Sequence, residues 1–248
     1  MTVLLNPSFN HLRKSIESIP ERFENEGKII YRGRNLIKVM SIEGVDINVK
    51  RYAIPMLFNR IIYSFFRSPK GRRAFDYPKL LLEKGFQTPM PIAYIEKRRY
   101  GLIQHSYFIS LQCPYKRNFY EFGDADITEC TEVVKAFAHY TACLHEAGIL
   151  HRDYSPGNIL FDKVEGKYQF SLVDINRMSF GKVSIKNGCA NFARLWGQIP
   201  FFKYIAKEYA IARGADEVLC SKWILAYRKK FWKRFARRHV VKYNLKIE

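Results

Sequence analysis

His151-Arg152-Asp153-Tyr154-Ser155-Pro156-Gly157-Asn158, running on into Ile159-Leu160-Phe161, is the stretch from which the rest of the chain is best read. Asp153 and Asn158 stand five positions apart in it. At that separation an aspartate accepts or orients the proton of a hydroxyl under attack, while an asparagine reaches a magnesium ion bridging nucleotide phosphates. A bare His-Arg-Asp triplet would read as a surface salt bridge or a helix cap. The whole pattern, with an apolar helix ahead of it and an apolar strand behind, predicts a phosphoryl-transfer loop. Asp153 is the candidate catalytic group and Asn158 a candidate metal ligand.

Downstream, Asn158 to Asp162 and Gln169 to Asp174 read as two strands joined by a turn around Glu165-Gly166-Lys167. Asp174 closes the second strand about twenty residues beyond Asp153, where a kinase places its principal magnesium ligand. Upstream, Val133, Val134, Phe137, Ala138, Thr141 and Leu144 recur at helical spacing, predicting a helix from Thr128 to Ala147 that Gly148 ends. Within it Cys143 is expected in the core and His145 as a hydrogen-bonded structural histidine. Further upstream, Lys28 to Arg32, Leu36 to Ile42 and Asp46 to Tyr52 read as three strands of a small antiparallel sheet. The third carries Val49-Lys50, as the third kinase strand does, so Lys50 is the candidate phosphate-binding lysine.

A helix is expected between Ser68 and Lys84, capped by Ser68-Pro69 and ended by Gly85. Pro78 either kinks it or starts a shorter one. Asp76, with Glu83 as the other choice, is the acid expected to hold Lys50 toward the nucleotide. Thr88-Pro89-Met90-Pro91 reads as an extended connector into a hairpin, and Leu111 to Pro114 as the hinge. The expected architecture is α+β and two-lobed: a small antiparallel-sheet lobe over residues 1–112 and a mainly helical lobe over 113–248.

Composition sets the frame for partners. The chain has 248 residues, 48% hydrophobic and 15% aromatic, which excludes a disordered chain. Neither a run of about 18 apolar residues nor a signal peptide is read. Five scattered cysteines without a Cys-x-x-Cys pair point to reduced thiols in a cytoplasm. The net charge of +19, from 42 basic and 23 acidic residues, implies an anionic partner. Lys222 to Lys242 carries nine cations and no acid, with Trp223, Tyr227, Phe231 and Phe235 four apart. On a helix these aromatics form one stripe, which docks on the core or faces lipid. Arg60 to Arg67, followed by Lys70, Arg72 and Arg73, is a second basic-aromatic segment, suited either to a membrane or to packing on the small lobe. Nucleic acid is not expected, because no helix-turn-helix, zinc finger or RNA-binding aromatic signature accompanies the charge.

From Lys28 to Leu195 the chain resembles the bacterial lipopolysaccharide core kinases, the Kdo/WaaP or InaA-like family. The resemblance rests on the loop, on Gly85-Phe86-Gln87-Thr88-Pro89-Met90-Pro91-Ile92-Ala93, on Leu172-Val173-Asp174-Ile175-Asn176-Arg177 and, more weakly, on Asn191-Phe192-Ala193-Arg194-Leu195. It implies a protein-kinase-like fold, ATP and Mg2+ as cofactors, and transfer of the terminal phosphate to a Kdo or heptose hydroxyl of a core oligosaccharide attached to lipid A. Kdo is the preferred acceptor on overall resemblance. The expected place is cytoplasmic, peripheral at the anionic cytoplasmic face of the inner membrane. Departures from protein kinases are plain: a single Gly33 where a glycine-rich loop would be, Asp-Ile-Asn for Asp-Phe-Gly, Ser155 in place of a lysine, and 74 residues after Asp174, too few for a full peptide-binding lobe. Two other readings stand beside it: a small-molecule phosphotransferase of aminoglycoside or choline kinase type, and a non-catalytic kinase-like basic scaffold.

Overall fold

The computed structural model describes residues 1–241 and 243–246, so Lys242 of the basic run lies outside the described residues. The chain divides into two compact units, Met1–Pro114 and Tyr115–Glu248.

The first unit is built on a six-stranded antiparallel sheet. Its strands are β1 (Thr2–Leu5), β2 (Lys28–Arg32), β3 (Leu36–Ile42), β4 (Val45–Tyr52), β5 (Pro91–Arg99) and β6 (Leu102–Leu111), in the order β1-β5-β6-β4-β3-β2. Between β1 and β2 lie the short helices α1 (Arg13–Glu17) and α2 (Ile19–Arg22); between β4 and β5 lie α3 (Leu57–Phe65) and α4 (Lys70–Glu83). Alternation decides the faces: Ile47 and Val49 on β4 join Met40, Ile42, Ile95 and Ile109 in the core, under Leu12, Ile16, Ile19 and Phe23. Lys50 therefore points to the opposite face of the sheet from Val49. Two hairpins turn on Glu43-Gly44 and Tyr100-Gly101, where both residues have positive φ, the requirement of the turn whose twist matches the strands. Lys38 is buried, and its ammonium donates to Phe23 O (2.5 Å), Glu24 O (3.1 Å) and Glu26 O (2.9 Å), capping the segment that leaves α2. Pro78 sits buried inside α4 and the helix continues through it.

In the second unit, β7 (Arg117–Asn118) leads to α5 (Ile127–Glu146) and then to β8 (Ile149–His151), β9 (Ile159–Val164), β10 (Lys167–Leu172) and β11 (Met178–Phe180). The strands form the small sheets β10-β9-β7 and β11-β8. Three helices follow: α6 (Ile185–Asn191), α7 (Ile199–Arg213) and α8 (Glu217–Ala236). Asp126 caps α5 by accepting from Thr128 N at 2.9 Å, and the expected apolar face is buried with His145 among it. Cys143 departs from expectation: it falls between the buried Ala142 and Leu144 on the outward side and is exposed.

On α8 the buried stripe is Cys220, Ile224, Arg228 and Trp232, one position round from the expected aromatic line. Trp223, Tyr227, Phe231 and Phe235 flank it half-buried, and Phe231 and Phe235 pack on a cluster of Trp196, Trp232 and Leu245. Arg228, counted with the surface cations from sequence, is only 1% exposed. Its guanidinium donates to Gly197 O (2.8 Å) and Lys246 O (2.9 Å) and lies over the Phe202 ring.

Candidate active site

The loop is held by its own backbone. Ser155 N donates to Asp153 O (2.8 Å), Asn158 N to Ser155 O (2.9 Å), and the Asn158 side-chain nitrogen to Asp153 O (2.8 Å). Val173 N then donates to Asn158 O at 3.0 Å, tying the end of β10, and so Asp174, to the loop. His151, fully buried, completes the lock: Asp153 N donates to its Nδ1 (3.1 Å) and its Nε2 reaches Val173 O (3.0 Å). These partners assign the proton to Nε2 of a neutral ring, and burial lowers the His151 pKa in agreement. Tyr154 is buried against Phe137 with its hydroxyl 2.9 Å from Thr141 Oγ1, so alternation turns the neighbouring Asp153 outward, 18% exposed at its side chain. The structure thus brings Asp153, Asn158 and Asp174 together.

Asp174 has φ 53° and ψ 41°. Among the described residues the other non-glycine positions with positive φ, Glu43, Tyr100 and Glu165, each precede the glycine of a tight hairpin. Asp174 precedes no such glycine, and left-handed backbone there stores strain of about 1–3 kcal/mol. Its carboxylate accepts from the Asn176 side-chain nitrogen at 2.5 Å. Asn176 is buried, and its Oδ1 meets no donor among the described residues. An amide oxygen from Asn158, a carboxylate from Asp174 and a nearby buried acceptor form a hard-oxygen set. It fits Mg2+, which keeps several waters and few protein ligands. No group of three or more His, Cys, Asp or Glu suited to a metal occurs among the described residues.

Two arginines grip the candidate base, and sequence reasoning missed both. Arg194 donates to Asp153 Oδ1 at 2.6 Å while lying over the Phe231 ring, and Arg177 stands 3.4 Å from Oδ2. The signal was present, since each arginine sits near the end of a segment already singled out by motif. Beneath the loop, a hydrogen-bond chain runs in one sense. Arg213 donates to Tyr209 Oη (2.7 Å), and Tyr209 Oη lies 2.8 Å from His145 Nδ1. His145 Nε2 is 3.1 Å from Asn191 Oδ1, and Asn191 Nδ2 donates to His151 O (2.9 Å). Burial pushes the His145 pKa down to about 4, which keeps the ring neutral.

Lys50 and Asp76 lie in the first unit. The Lys50 ammonium lies over the Tyr52 ring. The Asp76 carboxylate is taken by Arg72 at 2.8 Å, and Glu83 stands 3.9 Å from Lys79, both exposed pairs one turn apart on α4; neither involves Lys50.

The model of the lipopolysaccharide kinase (Kdo/WaaP) family matches residues 31–200. This chain belongs to that family. It is accordingly a phosphotransferase that acts on a sugar hydroxyl of the lipopolysaccharide core, with ATP use implied by membership. Many solved structures share the fold; one, described as WaaP in complex with acyl carrier protein, is 17% identical with a TM-score of 0.61, covering 94% of this chain and 100% of its own. That match makes the α+β fold kinase-like. A search of curated proteins gave no significant match.

Proposed function

We propose that the chain transfers the terminal phosphate of ATP to a Kdo hydroxyl of the lipid A-linked core, with heptose as the other candidate acceptor. The observation that carries the reading is the hydrogen-bonded loop that joins Asp153 to Asn158 and, through Val173 N to Asn158 O, to the strand end before Asp174. Asp153 orients the acceptor hydroxyl and receives its proton, its carboxylate held in place by Arg194 and Arg177. Asn158 and Asp174 are the residues that would hold Mg2+, and Lys50 the one that would contact the nucleotide phosphates. When bound, the ion neutralises charge on the transferring phosphoryl group. Asp76, engaged by Arg72, is left out of this assignment.

A lipid-linked acceptor calls for an enzyme held peripherally at the cytoplasmic face of the inner membrane, a reading that the charge of +19 supports. By extension from the structural relative, an acyl carrier protein is a partner worth testing by co-purification. The decisive experiment incubates the protein and labelled ATP with Kdo-lipid A, heptosylated lipid A, an aminoglycoside and a generic protein. Label should enter Kdo-lipid A, and Asp153→Asn should lower turnover by about a hundredfold to ten-thousandfold while ATP binding persists. Wild-type turnover by Asp153→Asn would remove the base assignment, and labelling of the aminoglycoside alone would move the enzyme to the small-molecule class.

A further inference from the structure

α3 is an amphipathic helix with its apolar side outward. Leu57, Phe58, Ile61 and Phe65 share an arc of about 100° on it, and Met56 and Phe66 extend the strip at its two ends. Phe58 and Phe66 are 76% and 81% exposed, and no residue of α3 is buried. The inward side explains why the helix stays in this pose. Arg60 Nε donates to Ile103 O at 2.6 Å, Ile103 N donates to Ser64 Oγ at 3.0 Å, and Arg98 reaches Ser64 O at 3.2 Å. The helix is pinned to the β5–β6 hairpin by polar contacts, with Ile62 and Tyr63 half-buried on the inward side, while Leu57, Phe58, Ile61 and Phe65 stay exposed. A soluble domain gains nothing by holding such a strip in water.

The surroundings say what covers it. Residues 47–75 contain seven Lys and Arg and no Asp or Glu. Gly101, at the tip of the β5–β6 hairpin, lies against the Phe65 ring, which puts the exposed Arg99-Tyr100 pair beside the strip. Through Ile54 the strip runs into a groove of about 400 Å³ lined by Arg32, Arg34, Arg51 and His105. Apolar side chains bordered by Tyr and Arg, with a basic groove alongside, match the polarity profile of a membrane interface: acyl chains below, anionic headgroups beside.

We infer that α3 is the element by which this protein docks on an anionic bilayer, its apolar face entering the acyl boundary while the Arg32–Arg34 groove takes headgroup phosphates. The inference deepens the proposed function by naming where the membrane holding the acceptor is engaged. It also moves that contact away from α8, whose Phe231, Trp232 and Phe235 pack with Trp196 and Leu245.

Co-sedimentation with vesicles of phosphatidylethanolamine and phosphatidylglycerol, free of acceptor and nucleotide, tests it independently of the kinase reading. The wild type should partition about tenfold or more better into these than into phosphatidylcholine vesicles, and less as salt rises. Phe58→Glu with Phe65→Glu, both exposed positions, should lose about tenfold or more of that binding while its melting temperature and its turnover on a detergent-dispersed acceptor stay at the wild-type level. Phe58→Ser with Phe65→Ser serves if the acidic pair disturbs folding, and should show the same loss. The inference fails if the folded α3 variant binds vesicles as the wild type does, if only Lys230→Glu with Arg237→Glu on α8 loses binding, or if the wild type ignores vesicles and captures an acidic carrier protein instead.

Discussion

Gly188→Ala tests the buried chain beneath the catalytic loop, and two forces of opposite sign make it informative. Gly188 lies inside α6, where alanine is the better helix former by about 1 kcal/mol, so on propensity alone the variant should be more stable. A β-carbon there, however, would stand 1.9 Å from Tyr209 Oη, 2.8 Å from His145 Nδ1 and 3.0 Å from Tyr209 Cζ. The tyrosine must move by more than an ångström, in a core where Tyr209 and His145 are both fully buried. Overpacking of this kind costs about 1–3 kcal/mol, and parting Tyr209 Oη from His145 leaves buried polar groups unmet at about 1–3 kcal/mol more. Set against the helix gain, the expected net loss is about 3 kcal/mol. At about 2–4 °C per kcal/mol, that lowers the Tm by roughly 10 °C. Urea unfolding gives the free energy, and a cycle with Tyr209→Phe identifies the cause. Deleting the hydroxyl removes the shortest contact, so the double variant should be more stable than the sum of the single losses predicts, by about 1–2 kcal/mol. If Gly188→Ala were as stable as the wild type or more so, or if the two changes were additive, the steric argument would be refuted.

Two further outcomes concern stability. Lys38→Met keeps the aliphatic stem but leaves the carbonyls of Phe23, Glu24 and Glu26 without their donor, and should destabilise the first unit by about 3 kcal/mol in urea titrations. An unchanged midpoint would mean that water replaces the ammonium at no cost. The pH dependence follows from His145, whose folded pKa of about 4 lies below its unfolded value near 6.5. Between those values the unfolded chain binds the extra proton, so stability should be intact above about 6.5 and fall by about 1.4 kcal/mol per unit as pH drops toward 4, about 3 kcal/mol in all. His151 shifts in the same direction and adds to the slope. Equal urea midpoints at pH 7.5 and pH 5 would contradict this.

Much of the architecture was legible because periodicity and punctuation agree. β2 to β4, the β5–β6 hairpin, α5 and the β9–β10 pair fall within a few residues of their expected places, each bounded by Gly or Pro. The N-terminal segment was not: β1 is only Thr2–Leu5 and becomes a strand by pairing with β5, more than eighty residues away, a contact that local pattern does not encode. On α8 the spacing gave the helix but misplaced its buried face by one position, since Arg228 reads as a surface cation until Gly197 and Lys246 supply carbonyls for it. The same limit applied at the site. Asp153 and Asn158 share one loop and announce themselves together, whereas Arg177 and Arg194 reach Asp153 only through the folding of later segments.

The Asp174-Ile175-Asn176 corner has a consequence for control. In protein kinases the corresponding Asp-Phe-Gly segment is a point of regulation, where packing of the central residue separates active from inactive forms. Here Ile175 and Asn176 are buried, and the Asn176 amide clasps the carboxylate it follows. Turning the corner over would expose a hydrophobe and break a charge-assisted bond, with no glycine to ease the backbone through. The corner is thus braced in one pose by its own buried side chains, a rigid element where the protein-kinase segment is a movable one.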